Sequence, residues 1–235
     1  MTQTIVMKRI LICAIMIWNM LFGHHAQAQD WANKARYAKA NMELLSHEAD
    51  PQRVVLLGNS ITEGWKDTHP QFFTINHLVG RGISGQVSSQ MLARFRQDVI
   101  NLSPRIVVIN CGTNDIAENN GPYDEDITID NILSMVELAL HNDITVVLTS
   151  VLPTDHFVWN PSVRDIEAKV ESLNARIIQL AARFSLPYID YYSTMVATGS
   201  KGINPAYSPD GVHPNATGYT VMEKLLLETL SRLQR

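Results

Sequence analysis

Short apolar runs alternate along this chain with longer stretches in which apolar residues recur every three or four positions. The runs are Val54–Leu57, Leu78–Val79, Ile106–Ile109, Ile144–Leu148 and Leu186–Ile189. A run of this kind, without strict polar alternation, fits a strand buried on both faces. Between the runs, Leu92, Phe95 and Val99 trace one helical face, and Ile129, Ile132, Leu133, Val136 and Leu140 a second. Val163, Ile166, Val170, Leu173, Ile177, Leu180 and Phe184 make the longest stripe, and Val221, Leu225 and Leu230 mark a final helix. Upstream, Trp31, Ala35, Ala38, Met42 and Leu45 predict an amphipathic helix closing at Asp50-Pro51. Ser88 and Ser89 stand where they would cap the helix over Leu92.

Alternating strands and helices of this kind call for a parallel sheet covered on both sides. With five strands the expectation is a three-layer α/β/α fold, flavodoxin-like and doubly wound. No linker-like composition interrupts it, so residues 29–235 read as a single domain. The first 28 residues read differently. Lys8 and Arg9 precede a mostly apolar stretch from Ile10 to Phe22, and Ala26-Gln27-Ala28 offers small residues where a signal peptidase cuts. That is the pattern of a secretory signal peptide, too short to span a bilayer. Ile12 is too bulky for Cys13 to be a lipidation site, so no membrane anchor is expected and the mature protein is exported, periplasmic or secreted.

Charge and cysteine content narrow the partners. The chain carries a net charge of −4. The leader holds two bases and no acid, so its removal makes the chain more acidic still. An acidic chain without a basic cluster argues against nucleic acid and anionic membrane surfaces. Cys111 alone remains after the leader, which excludes an intrachain disulfide. Cys/His ligands at metal-binding spacing are absent.

The chemistry lies in the turns that follow the strands. After Val54–Leu57 comes Gly58-Asn59-Ser60, which puts a serine at the carboxyl end of a buried parallel strand. Ligand crevices of open α/β sheets lie there. A helix opening at that point surrounds the hydroxyl with free N–H groups and the positive end of a dipole. Gly85 closes the turn after the second strand and can present its own N–H. Gly112-Thr113-Asn114-Asp115 ends the third, where Asn114 offers a side-chain donor. Before the last helix, Asp210 and His213 stand three residues apart around a glycine, a spacing that lets the carboxylate hold Nδ1–H and leaves Nε2 free as a base. His156, directly after Asp155, is the second choice of base. His47, His69, His77 and His141 lack an acid–nucleophile context and read as surface residues.

Taken together, Ser60, Gly85, Asn114 and His213, with Asp210 three before the histidine, resemble the four blocks of the SGNH hydrolases, the GDSL lipase/esterase family. The resemblance runs from Val54 to the last helix. The wording is similar to a secreted bacterial subgroup near platelet-activating-factor acetylhydrolase-like and carbohydrate acetylesterase proteins. It implies a Ser60–His213–Asp210 triad, an oxyanion hole made by the Ser60 and Gly85 N–H groups and the Asn114 side chain, and two-step acyl transfer with neither metal nor organic cofactor. Two positions depart from the family pattern: Asn59 replaces the aspartate of the family name, and Gly80 stands where many relatives have asparagine.

For the substrate the residues leave more open. Trp65, Phe157, Trp159 and Tyr207 are candidates to stack on a sugar ring or to line an acyl groove. No long apolar loop offers an acyl channel, which favours short acyl groups, acetyl on a glycan. Lysophospholipase or thioesterase action on longer chains is the alternative. A non-catalytic binding protein on the same fold is the alternative of another class.

Overall fold

A computed structural model describes residues 30–233; the expected leader, residues 1–28, lies outside the described residues. A 3-10 turn (Lys34–Tyr37) enters α1 (Ala38–Ser46), followed by β1 (Val54–Gly58), α2 (Ser60–Thr68), α3 (Pro70–Ile75) and β2 (Leu78–Gly82). Next come α4 (Ser88–Asp98), β3 (Ile106–Ile109), α5 (Thr113–Ile116), α6 (Glu125–Leu140) and β4 (Thr145–Thr149). The chain ends with α7 (Ile166–Arg183), β5 (Tyr188–Ile189), α8 (Tyr191–Met195) and α9 (Ala216–Leu233). All five strands pair in parallel in the order β2-β1-β3-β4-β5, the doubly wound arrangement expected from the sequence.

Period-two alternation splits the strand residues between two cores. Val55, Leu57, Val107, Ile109, Val146 and Leu148 face α4, α6 and α7. Val54, Leu56, Ile106, Val108, Val147 and Ile189 face α2, α3 and α9. Because both of their faces are dry, the central strands β1 and β3 read as continuous apolar runs. The strand order reverses direction at β1, so the crevice at its carboxyl end falls between the turns after β1, β2 and β3.

Three elements differ from the sequence reading. Along α1, Met42 is 66 % and Leu45 52 % exposed, and the buried residue is Asn41. Its amide donates to Asp98 Oδ1 at 2.7 Å and accepts from Arg81 Nε at 2.9 Å, so α1 docks through a polar network. On α4 the cap is Val87, whose N–H goes to the Gln90 side chain; Ser88 opens the helix and gives its N–H and hydroxyl to Asp115. On α9 the buried face is Tyr219, Met222, Leu226 and Leu230, with Val221 and Leu225 flanking it. The short helices α3, α5 and α8 carry too few turns to show a stripe.

Beneath the crevice, Arg94 is fully buried and joins several strand ends. Nη2 donates to the carbonyls of Gly58 and Arg81, at 3.0 and 2.9 Å; Nε reaches Gln86 Oε1 at 2.6 Å and Nη1 reaches Asp98 at 3.0 Å. One planar guanidinium thus ties the ends of β1 and β2 to the turn that follows β2. Burial lowers its pKa and the Asp98 carboxylate opposes that shift.

Candidate active site

The turn that carries Ser60 is set by close packing. Asn59 is the N-cap of α2: its Oδ1 accepts the Ile61 N–H at 3.0 Å. Ser60 is therefore the first helical residue, with its hydroxyl over the crevice. Gly82, at the end of β2, lets this turn sit against the sheet. A Cβ there would fall 2.3 Å from the Glu63 nitrogen and 2.6 Å from the Asn59 carbonyl. One turn into α2, the Glu63 carboxylate accepts the Ser84 N–H at 2.8 Å and the Ser84 hydroxyl at 2.5 Å, and pairs with Arg36 at 2.7 Å. Burial pushes the Glu63 carboxyl up, but the hydrogen bonds from Arg36 and Ser84 outweigh it and the net shift is downward. Helix α2 thereby clamps the turn that carries Gly85. Gly85 itself has φ +78°, a conformation natural to glycine and strained for other residues.

Ser60 Oγ lies 2.9 Å from His213 Nε2, although 153 residues separate them. His213 Nδ1 lies 2.7 Å from Asp210 Oδ2. Asp210 Oδ1 accepts the N–H groups of Val212 and His213, at 3.0 and 2.8 Å, and the Ser208 hydroxyl at 3.2 Å. Burial raises the Asp210 carboxyl; the bonds from His213 and the turn overcome it and hold the group down to about 2. The carboxylate is thus fixed as an acceptor and the imidazole is aimed at the serine.

Opposite lies Asn114, on α5, with its carboxamide almost completely buried. Nδ2 donates one hydrogen to the Gln86 carbonyl at 3.0 Å, which leaves a second N–H for the crevice. Oδ1 accepts from Asn119 Nδ2 at 3.0 Å. Ser60, Ser84, Gly85, Asn114, Asn119, Trp159 and His213 line one open cleft of about 370 Å³. Such a constellation offers an activated hydroxyl, an oriented base and converging donors, as acyl transfer requires. Cys111, just upstream, takes no part: it is buried, and burial pushes its thiol well above the usual range.

The model of the GDSL-like lipase/acylhydrolase family matches residues 56–221, which include Ser60, Asp210, His213 and every residue that lines the cleft. The chain belongs to that family. A protein from Bacteroides fragilis described as an acylhydrolase is 55 % identical, with TM-score 0.86 over 88 % of this chain and all of that one. A catalytic mutant of an acetylxylan esterase from Geobacillus stearothermophilus is 16 % identical, with TM-score 0.63 over 77 % of this chain and 95 % of that one, and shares the fold. A multidomain esterase from Ruminococcus flavefaciens is 28 % identical over 170 residues, 71 % of this chain; the match spans about a fifth of that protein, 21 %.

In this family member the four aromatics named from the sequence separate. Trp159 lines the cleft, its ring centroid 5.9 Å from that of His213. Phe157 is buried beneath it, 5.1 Å between centroids, and supports the indole instead of meeting a ligand. Trp65 lies on the far side of α2, stacked between Phe72 and Tyr219, with Nε1 donating to Glu223 at 3.1 Å. Tyr207 is half-buried against the same core. His156 pairs with Asp155 at 2.5 Å and packs on Gly211, while the serine is held by His213. His69, expected on the surface, is half-buried and paired with Glu223 at 2.6 Å. Asp115 is partly buried and caps α4 through Ser88; burial raises its carboxyl, and the Ser88 bonds oppose the rise. In the sequence nothing distinguishes Asn119 from the other polar residues of the loop after α5. Among the described residues no helix is long and apolar enough to cross a membrane.

Proposed function

We propose that this protein is an exported serine esterase that removes short acyl groups, acetyl first among them, from carbohydrate esters. The observation that carries the reading is the hydrogen-bonded line Ser60–His213–Asp210, at 2.9 and 2.7 Å, opening on a cleft shared with Gly85 and Asn114. His213 takes the Ser60 proton as Oγ attacks the ester carbonyl. The carbonyl oxygen gains charge and is met by the Ser60 and Gly85 N–H groups and the free Asn114 N–H. His213 then protonates the departing alcohol. Water attacks the acyl-enzyme by the same route, releasing the acid and restoring Ser60.

What supports a short acyl group is the lining of the cleft. Apart from Trp159 it is polar or glycine, and it contains no apolar wall for a long chain. Trp65 and Phe157 are buried in packing and add no surface to the cleft. A flat indole beside the base suits stacking on a sugar ring, and the Geobacillus neighbour is named for acetylxylan.

The test is acetate release from acetylated xylan, alongside a p-nitrophenyl ester series from acetyl to palmitoyl. The reading expects kcat/KM to fall steeply beyond butyryl and acetate to appear from the polymer. A maximum at octanoyl or longer would replace it with lysophospholipase or thioesterase action. Absence of turnover on every ester, with ligand binding retained, would make the protein a binding module.

A further inference from the structure

Asn114 can serve an oxyanion only if its carboxamide points the right way round. Turned over, it would present Oδ1 to the developing charge. We propose that Asn119 and Trp159 set this sense, as positioning residues that act through Asn114. The proposal rests on the esterase reading above and adds two residues to its machinery.

An indole nitrogen can only donate. Trp159 Nε1–H donates to Asn119 Oδ1 at 2.8 Å, which fixes the sense of the Asn119 amide. Its Nδ2 must then face the other way. There it donates to Asn114 Oδ1 at 3.0 Å and to the Gly85 carbonyl at 3.3 Å. With Oδ1 of Asn114 so occupied, Nδ2 of Asn114 meets the Gln86 carbonyl at 3.0 Å and the cleft. Reversing any one amide sets donor against donor or acceptor against acceptor at both of its ends. A donor-only indole at one end and the acceptor-only Gln86 carbonyl at the other thus polarise the chain in the same sense, Trp159 to Asn119 to Asn114.

Both ends of the relay are held. The Asn119 N–H donates to the Asn114 carbonyl at 3.1 Å. The Trp159 ring rests on buried Phe157, and its neighbour Asn160 donates to the Ala117 carbonyl at 2.9 Å. The loops after α5 and β4 are therefore stapled together beside the cleft. The relay also joins two jobs in one side chain. The face of Trp159 is open to a ligand while its edge orders the oxyanion donor, so a ring seated on the indole steadies the hole as well as the substrate.

Asn119 is exposed, so water can replace part of what it does. Asn119→Ala should lower kcat about threefold to tenfold on p-nitrophenyl acetate. Asn119→Asp is nearly isosteric but has only acceptors. Its second oxygen would oppose Asn114 Oδ1 and the Gly85 carbonyl, which favours the reversed Asn114 amide. The loss should be larger, roughly thirtyfold to a hundredfold in kcat, with KM within about twofold. Trp159→Phe keeps the ring and removes the donor, and should cost about threefold to tenfold in kcat on the same small ester.

The deciding measurement is a double-mutant cycle on p-nitrophenyl acetate with Asn114→Ala, using variants that retain cooperative thermal unfolding. The relay predicts that Asn119→Asp and Trp159→Phe cost less than about twofold further once Asn114 is alanine. Undiminished losses in that background would overturn it, because a charge or stacking effect does not need Asn114. Normal kcat for both single variants would overturn it too. A wild-type protein that neither turns over esters nor reacts with a fluorophosphonate would sink the esterase reading itself and the relay with it. Failure of the relay alone leaves wild-type turnover and the Asn114→Ala defect in place.

Discussion

Asp210 divides its carboxylate between an imidazole and its own turn: Oδ2 lies 2.7 Å from His213 Nδ1, while Oδ1 accepts the N–H groups of Val212 and His213. Bonds of this kind favour the charged form, which is why the group is held at about 2 despite its burial.

A pH dependence follows from that pair. Asp210 is held ionised down to about 2, so a loss of kcat/KM at any higher pH does not come from its protonation. Asp210→Asn should lower the rate by less than His213→Ala, since it leaves a base in place. The lowered carboxyl stabilises the fold above its unfolded value of about 4, and this contribution is lost as pH falls toward about 2. Tm measured against pH for wild type and Asp210→Asn should therefore differ above about pH 4 and converge as pH falls toward about 2.

Asn114→Ala should lower kcat by about a hundredfold to a thousandfold, with KM nearly unchanged, because its free N–H matters only once the oxyanion forms. Steady-state kinetics on p-nitrophenyl acetate test this. A raised KM at normal kcat would recast Asn114 as a substrate-positioning residue.

Its neighbour Asp115 should behave differently. It accepts the Ser88 N–H and hydroxyl at the head of α4. Asp115→Ala should cost about 1 kcal/mol, a few degrees of Tm for a chain of this size, without the kcat loss of Asn114→Ala. Calorimetry beside kinetics separates the two.

The two tryptophans make a further pair. Trp65→Ala empties a site between Phe72, Phe73 and Tyr219 and should cost about 3–5 kcal/mol of stability, with little change in KM for the folded enzyme. Trp159→Ala should do the reverse, raising KM for an acetylated oligosaccharide by on the order of tenfold and unfolding near the wild-type temperature.

How much of this was legible in the sequence depended on what each residue is buried against. The strands were plain because both faces are dry, so Val54–Leu57 and Ile106–Ile109 show no polar position. Asp210 and His213 were plain because three residues and a glycine suffice to close their contact. The phase of α1 was not, because its buried residue is an asparagine that feeds Arg81 and Asp98. Arg94 was hidden for the same reason, since a buried guanidinium looks like a solvated one until its carbonyl partners are known. Trp65 and Trp159 are indistinguishable as letters, and only the side of α2 or of the cleft on which each lies separates scaffold from site. Asn119 gave no signal, because its role depends on an indole forty residues away.

Intact-mass analysis after exposure to a fluorophosphonate, on wild type and Ser60→Ala, asks whether Ser60 is a nucleophile activated by His213. Wild type should carry a single adduct, located to the peptide that contains Ser60, and the variant none. No adduct on folded wild type, or equal labelling of the variant, would rule Ser60 out as that nucleophile.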